Sequence, residues 1–277
     1  MPAKGGGVTG SLSNRIRRDI VEAGYHCGES AHFGGGLSIV DLLAVLYEKH
    51  LRFDKNDPLW SERDVFILSK GHGVLGYFAT LKNIGLISSD CFRTFQKNGS
   101  DLIAHPVLNL PLGIESSNGS LGQGLSFGCG IALAAKKKLM GKRIYIMLGD
   151  GECNEGSVWE AAMFAAQYEL DNLIAIIDVN GFQNDGPTAV VSNKANMAAK
   201  WSAFGWNTIE IDGHSTEQIS NAYKYAENTT GKPTAIIANT IKGKGVSFME
   251  NNNEWHHNRL TEKNYLIAID ELENSSD

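Results

Sequence analysis

At 277 residues, 42% of them hydrophobic, the chain is long enough for one large α/β domain or two small ones around a substantial core. A formal net charge of −6, with basic residues scattered rather than striped, argues against a nucleic-acid partner. The N-terminus lacks a signal-peptide core, no apolar run approaches the roughly 20 residues of a membrane span, and Cys27, Cys91, Cys129 and Cys153 form no CxxC pair, so a cytoplasmic protein with reduced thiols is expected.

In chain order, a glycine-rich stretch over the first eleven residues is expected to be flexible, and residues 12–277 to form one domain. Helical patterns lie at about 12–26 and 37–50, separated by a glycine-rich turn, His32–Phe33–Gly34–Gly35–Gly36. A short apolar strand, Val65–Ser69, leads through Gly71–His72–Gly73 into another helix. Gly71 to Gly76 satisfies GxGxxG, but a dinucleotide site also needs a second strand ending in an acid about 20 residues on. Ile84–Phe95 instead has the pattern of a turn and short helix, and a further match at Gly5 to Gly10 has no strand before it. Gly119–Leu139 begins in glycines and becomes an alanine-rich helix. Ile144–Leu148, Leu173–Val179 and Thr234–Asn239 are buried-type strands, and Thr208–Ile211 alternates as a half-buried one. Between and after them sit helical stretches at about 155–169, 195–204, 215–228 and 261–272. Strands alternating with helices, with continuous apolar strand runs, predict an α/β fold: a parallel sheet flanked by helices on both faces.

In such sheets ligands bind at the carboxyl ends of the strands. Ile144–Leu148 ends in Gly149–Asp150–Gly151, and the next strand ends in Asp178–Val179–Asn180–Gly181–Phe182. One crossover separates them, so Asp150 and Asn180 can project from neighbouring strands at one edge. A carboxylate and an amide oxygen are hard ligands suited to Mg²⁺ or Ca²⁺, and Mg²⁺ is commonly completed by phosphate oxygens. Flanking glycines let a diphosphate approach the backbone. A Gly-Asp-Gly turn alone is weak; joined to an asparagine at the next strand end, it is specific.

The run GDGECNEGSVWEAAMFAAQYELDNLIAIIDVNGFQNDGP resembles the thiamine-diphosphate fingerprint, particularly that of transketolases. So do ESAHFGGGLSIVDLLAVLY, LSKGHGVLGYF, IAHP, GSLGQGLSFGCGIALA and TIKGKGVSFMENNNEWHHNRL, in the right order over nearly the whole chain. The resemblance implies the thiamine-diphosphate-binding fold of the diphosphate (PP) type. It implies Mg²⁺, with Ca²⁺ or Mn²⁺ as substitutes, on Asp150, Asn180 and the Phe182 carbonyl. Gly151 and Asn180 would touch the diphosphate, and Gly119, Ser120 and Leu121 the thiazolium–pyrimidine side. Glu155 matches an acid at the subunit interface, taken there to communicate with a glutamate of the partner. Four of eight histidines stand in family positions: His72 and His256 for phosphate or substrate, His32 and His105 for donor hydroxyls and proton transfers, to which imidazole is suited. His26, His50, His214 and His257 match nothing. Lys242 is open between a diphosphate contact and a solvated loop lysine.

Departures at Phe33, where many transketolases have proline, and at His257, where they have glycine, bear on the shape of the sugar pocket. Ser120 replaces a common proline, as in split transketolases. The family also needs a pyrimidine-binding domain of roughly domain size, for which this chain has no room. A split enzyme is therefore expected, an α2β2 heterotetramer with a C-terminal subunit, moving a two-carbon ketol unit from a ketose to an aldose phosphate. The sugar stays open between ordinary pentose and hexose phosphates and modified sulfo or apio types. Alternatives are a 2-oxo-acid dehydrogenase first-component α chain, a deoxyxylulose-phosphate-synthase-like enzyme, or a non-catalytic subunit. Alanines at helical spacing, Ala161/Ala165 and Ala162/Ala166, suit either a subunit interface or packing on the sheet.

Overall fold

The computed structural model describes residues 11–192 and 196–274; the Gly5–Gly10 match and the expected flexible residues 1–10 lie outside them. Ser11, assigned above to the flexible stretch, instead caps α1 (Leu12–His26), its hydroxyl accepting the Asn14 N–H at 3.3 Å. The glycine-rich segment expected to be a turn is also different: Gly34–Leu37 form a helical turn, α2, followed by α3 (Val40–Val45) and a π-helical turn at Leu46–His50. Glycine costs about 1 kcal/mol per helical position relative to alanine, so tertiary contact decides here. A Cβ on Gly34 would lie 2.9 Å from Lys242 Cγ. Past β1 (Val65–Leu68), α4 (Val74–Asn83) crosses α2 so closely that a Cβ on Gly76 would lie 2.4 Å from the Gly36 carbonyl oxygen.

The chain continues through α5 (Ser89–Phe92), α6 (Gln123–Lys137), β2 (Ile144–Gly149), α7 (Gly156–Gln167) and β3 (Leu173–Val179). A small hairpin, β4 (Phe182–Gln183) and β5 (Gly186–Pro187), and a turn of helix, α8 (Thr188–Val191), had no sequence signal strong enough to be foreseen. Then follow α9 (Met197–Ala203), β6 (Asn207–Asp212), α10 (Thr216–Asn228), β7 (Thr234–Asn239) and α11 (Glu262–Asn274). Five strands form one parallel sheet in the order β1-β2-β3-β7-β6. Between α4 and β2 the chain forms no strand, which removes the dinucleotide reading of Gly71–Gly76.

Successive strand residues feed opposite cores. Phe66, Tyr145, Met147, Ile174 and Ile176 pack under α1, α3, α4 and α10; Ile67, Ile144, Ile146, Ala175 and Ile177 pack under α6, α7 and α9. Ala161, Ala162 and Ala165 belong to the second core, where the Cys129 thiol meets the Ala161 carbonyl at 3.6 Å. The small residues of α7 therefore close it onto the sheet and α6. Among the described residues, no helix is long and apolar enough to cross a membrane.

Candidate active site

Strands β2 and β3 end in step, Gly149 paired with Asp178, and the Asp150 N–H donates to the Asp178 carbonyl at 3.1 Å. The Asp150 carboxylate accepts the Gly151 N–H at 2.8 Å, the Gly181 N–H at 3.0 Å and the Thr188 hydroxyl at 3.0 Å. Burial and then the Asp178 charge raise its pKa, against those hydrogen bonds. The Asn180 amide has a fixed sense: Nδ2 donates to Asp178 Oδ2 at 2.8 Å, leaving Oδ1, which accepts the Phe182 N–H at 3.1 Å. In the hairpin the Thr188 N–H donates to the Gly181 carbonyl at 2.8 Å, so Phe182 and Pro187 are a pair that exchanges no backbone hydrogen bond and the Phe182 carbonyl is directed out of the ladder. Carboxylate, amide oxygen and carbonyl thus gather within one short stretch of the sheet edge, an all-oxygen set that fits a hard divalent cation. No group of three His, Cys, Asp or Glu side chains among the described residues forms a competing metal site.

Beneath this edge lies an ion pair that the sequence reading missed. Lys70 and Asp178 are both fully buried, Lys70 Nζ donating to Asp178 Oδ2 at 2.5 Å and to the Gly35 carbonyl at 3.0 Å. Ser38 donates to the same carboxylate at 2.7 Å, and Thr240 does so too. Burial pushes Asp178 up, but the Lys70 ammonium and these hydrogen bonds outweigh it and hold the carboxyl below its ordinary value. The available signal was an acid inside an otherwise apolar strand, which requires a partner.

The four family-position histidines come from separate segments and meet. His32 is the hub: its ring centroid lies 5.6 Å from that of His72, 6.0 Å from His105 and 5.6 Å from His256. His72 and His256 stack at 5.3 Å. His257, which matched nothing in sequence, joins them with its ring 4.4 Å from His32. Burial, then the neighbouring histidines His257, His256 and His105, lower His32 to about 3. Burial, then Lys242 and Lys70, lower His256 to about 4. His72 also falls well below its usual value, through burial and then Lys70.

Lys242 is 1% exposed, which overturns the solvated-loop alternative. Its Nζ meets Asn253 Oδ1 at 2.7 Å and His256 Nδ1 at 2.9 Å and lies 5.6 Å over the Phe182 ring, joining histidines to strand tips. Burial and then Lys70 lower it to about 8. Buried Glu152 was missed; it accepts the Gly122 N–H at 2.9 Å, the Gly149 N–H at 3.1 Å and the Ser69 hydroxyl at 2.5 Å. It thereby ties the Gly119–Ser120–Leu121 segment to β2, and a Cβ on Gly119 would face the His105 ring at 3.7 Å. Exposed Glu155 precedes α7, and a Cβ on Gly122 would lie 2.7 Å from its own Cβ.

The family model of transketolase, thiamine diphosphate binding domain, matches residues 12–271. The chain belongs to the transketolase family. The 6-deoxy-6-sulfo-D-fructose transketolase subunit SqwG of Clostridium sp. (strain MSTE9) is 43% identical over 242 residues, 87% of this chain and 88% of that one. An apulose-4-phosphate transketolase subunit of Phocaeicola vulgatus is 41% identical over 260 residues, 94% of this chain and 92% of that one. Against the solved transketolase of Campylobacter jejuni, the TM-score is 0.84 at 30% identity, covering 96% of this chain but 42% of that one. This is the transketolase diphosphate-binding fold, and a chain the length of named transketolase subunits. These relatives favour the split transketolase over the dehydrogenase and synthase alternatives.

Within the transketolase frame, Phe33 is fully buried against Trp255 at 5.9 Å, beside Gly24, so its departure from proline is a core adjustment. His50 and His214 lie elsewhere, as expected. His50 meets Glu227 at 2.9 Å and Ser220 at 3.0 Å. His214 Nε2 accepts the Ile241 N–H at 2.8 Å, so its Nδ1 carries the proton toward Asp41 at 2.8 Å. It steadies the backbone one residue before Lys242.

Proposed function

We propose that residues 12–277 act as one domain that anchors thiamine diphosphate through Mg²⁺ on Asp150, Asn180 and the Phe182 carbonyl. A separate C-terminal transketolase subunit supplies the pyrimidine-binding domain, in a cytoplasmic α2β2 heterotetramer with Glu155 at the interface. The observation that carries this reading is the adjacency of the Asp150–Asn180 edge and the histidine pocket, linked through Lys242, which lies over Phe182 and against His256. When bound, thiamine diphosphate supplies the electron sink for cleaving the ketose and carrying its two-carbon ketol unit.

The chain's own residues do the rest. Gly151, Asn180 and His72 hold the diphosphate, with Lys242 neutralising it. Gly119, Ser120 and Leu121 line the ring side. His32, His105 and His256 orient donor hydroxyls. Imidazoles depressed to about 3 at His32 and about 4 at His256 are neutral at pH 7, so each offers one donor and one acceptor nitrogen. A bound anion beside Lys242 raises them toward the range where they can take a hydroxyl proton. The substrates are sugars with an anionic end, either ordinary pentose-phosphate-pathway sugars or a sulfonate or modified phosphate such as the named relatives use.

Calorimetric titration tests the anchor. Asp150→Ala is expected to abolish Mg²⁺-dependent thiamine diphosphate binding, and near-normal binding would remove the metal assignment. The chain alone is expected to show no ketol transfer; turnover without a partner would break the split-enzyme reading.

A further inference from the structure

His257 is the one pocket histidine that the proposed chemistry leaves unused. Its ring is nearer to His32, at 4.4 Å and an interplanar angle of 45°, than any other histidine ring is. The backbone builds this pairing. The Ala31 N–H donates to the Asn258 carbonyl at 2.9 Å, and the Asn258 N–H returns a bond to the Ala31 carbonyl at 3.1 Å. That antiparallel bridge fixes the residue beside each partner, His32 on one side and His257 on the other. The order outward from the strand tips is also set. Lys242 holds His256, His256 stacks on His72, His32 touches both, and His257 covers His32. His32, His72 and His256 are half-buried, whereas His257 is exposed at the outer end.

We propose that His257 is a specificity-determining residue that hydrogen-bonds the anionic far end of the sugar, beyond the carbons that react. This rests on the transketolase reading above. An imidazole ring nitrogen can donate a hydrogen bond to an anionic oxygen, and the ring fills volume that a glycine would leave open. An interaction with a part of the substrate that does not change during reaction holds ground state and transition state equally, so its loss raises KM without lowering kcat.

The test uses the full chain reconstituted with its pyrimidine-domain partner, and donors differing at the far end: erythrulose, fructose, fructose 6-phosphate and 6-deoxy-6-sulfo-D-fructose. His257→Gly is expected to raise KM for the phosphate and sulfonate donors about tenfold, with kcat within about twofold and erythrulose unaffected. His257→Asn, which keeps a donor and an acceptor, recovers part of the loss. Thiamine diphosphate affinity, measured by calorimetry on the same variants, stays unchanged. Three outcomes overturn the proposal: unchanged KM for both anionic donors, an equal rise for fructose or erythrulose, or weakened cofactor binding. If the unmutated chain binds no thiamine diphosphate with Mg²⁺, or its complex turns over no donor, the functional reading fails first and takes this inference with it.

Discussion

The two halves of the candidate site are built on opposite plans. The proposed metal edge comes from two adjacent strands within one stretch of chain, Asp150 to Phe182, and is held from below by buried charge. The histidine pocket draws on segments from Ala31 to Asn258 and is held by backbone contacts: the Ala31–Asn258 bridge and the α2–α4 crossing at Gly36 and Gly76. The edge is thus stiffened by electrostatics and the pocket by sterics. Lys242 links them from above, and the member they share beneath is Lys70, whose ammonium binds Asp178 under the strand tips and the Gly35 carbonyl under the histidines.

Breaking that shared member is expected to have the largest effect. Lys70→Met leaves Asp178 buried with its hydroxyl and amide donors but no counter-charge, and removing one partner of such a pair costs about 3–5 kcal/mol. Urea denaturation measures it. Replacing Arg18, whose pair with Glu22 stands 48% and 36% exposed, is expected to cost less than about 0.5 kcal/mol. A Lys70→Met cost no larger than that of Arg18→Met would show that the edge does not depend on charge. Because Asp178 orients the Asn180 amide, Lys70→Met is also expected to weaken Mg²⁺-dependent cofactor binding.

The same contrast explains what could be read from sequence. The meeting of Asp150 and Asn180 at one sheet edge was legible because strand ends, glycines and one crossover are local facts. The four family-position histidines were legible through resemblance. Lys70 and Asp178 were not, since neither residue announces a partner more than a hundred positions away. His257 was matched to nothing because its place beside His32 comes from the chain folding back onto Ala31. The Gly34–Leu37 segment was misjudged as a turn because glycine propensity is a weak prior that tertiary contact overrides. Gly76→Ala sharpens that point. Its Cβ would meet backbone, which cannot swing aside, so a loss of about 1–3 kcal/mol is expected. Gly130→Ala, at an exposed position of α6 with nothing within 4 Å, is expected to gain up to about 1 kcal/mol. Equal effects at the two sites would remove the packing explanation for α2.

The last effect concerns pH and is small per pH unit, and it separates the pocket from the edge most cleanly. His32 and His256 are lowered to about 3 and about 4 by burial and neighbouring positive groups, from a usual value of 6.5. Below 6.5 the unfolded chain takes up protons that the folded pocket refuses, so stability without cofactor falls as pH drops from 6.5 toward 4. One proton corresponds to about 1.4 kcal/mol per pH unit, and the partial solvent contact of these rings reduces this to about 0.7 per residue. Asp178 acts in the same direction but in a lower window: lowered from 3.8, it contributes stability above that pH and loses it only in stronger acid. Denaturation of the cofactor-free chain between pH 4 and 7 is therefore expected to show a slope that His32→Asn flattens and Gly76→Ala does not. A slope unchanged by His32→Asn would mean that the pocket accepts protons freely, and that its imidazoles are not held neutral by their crowding.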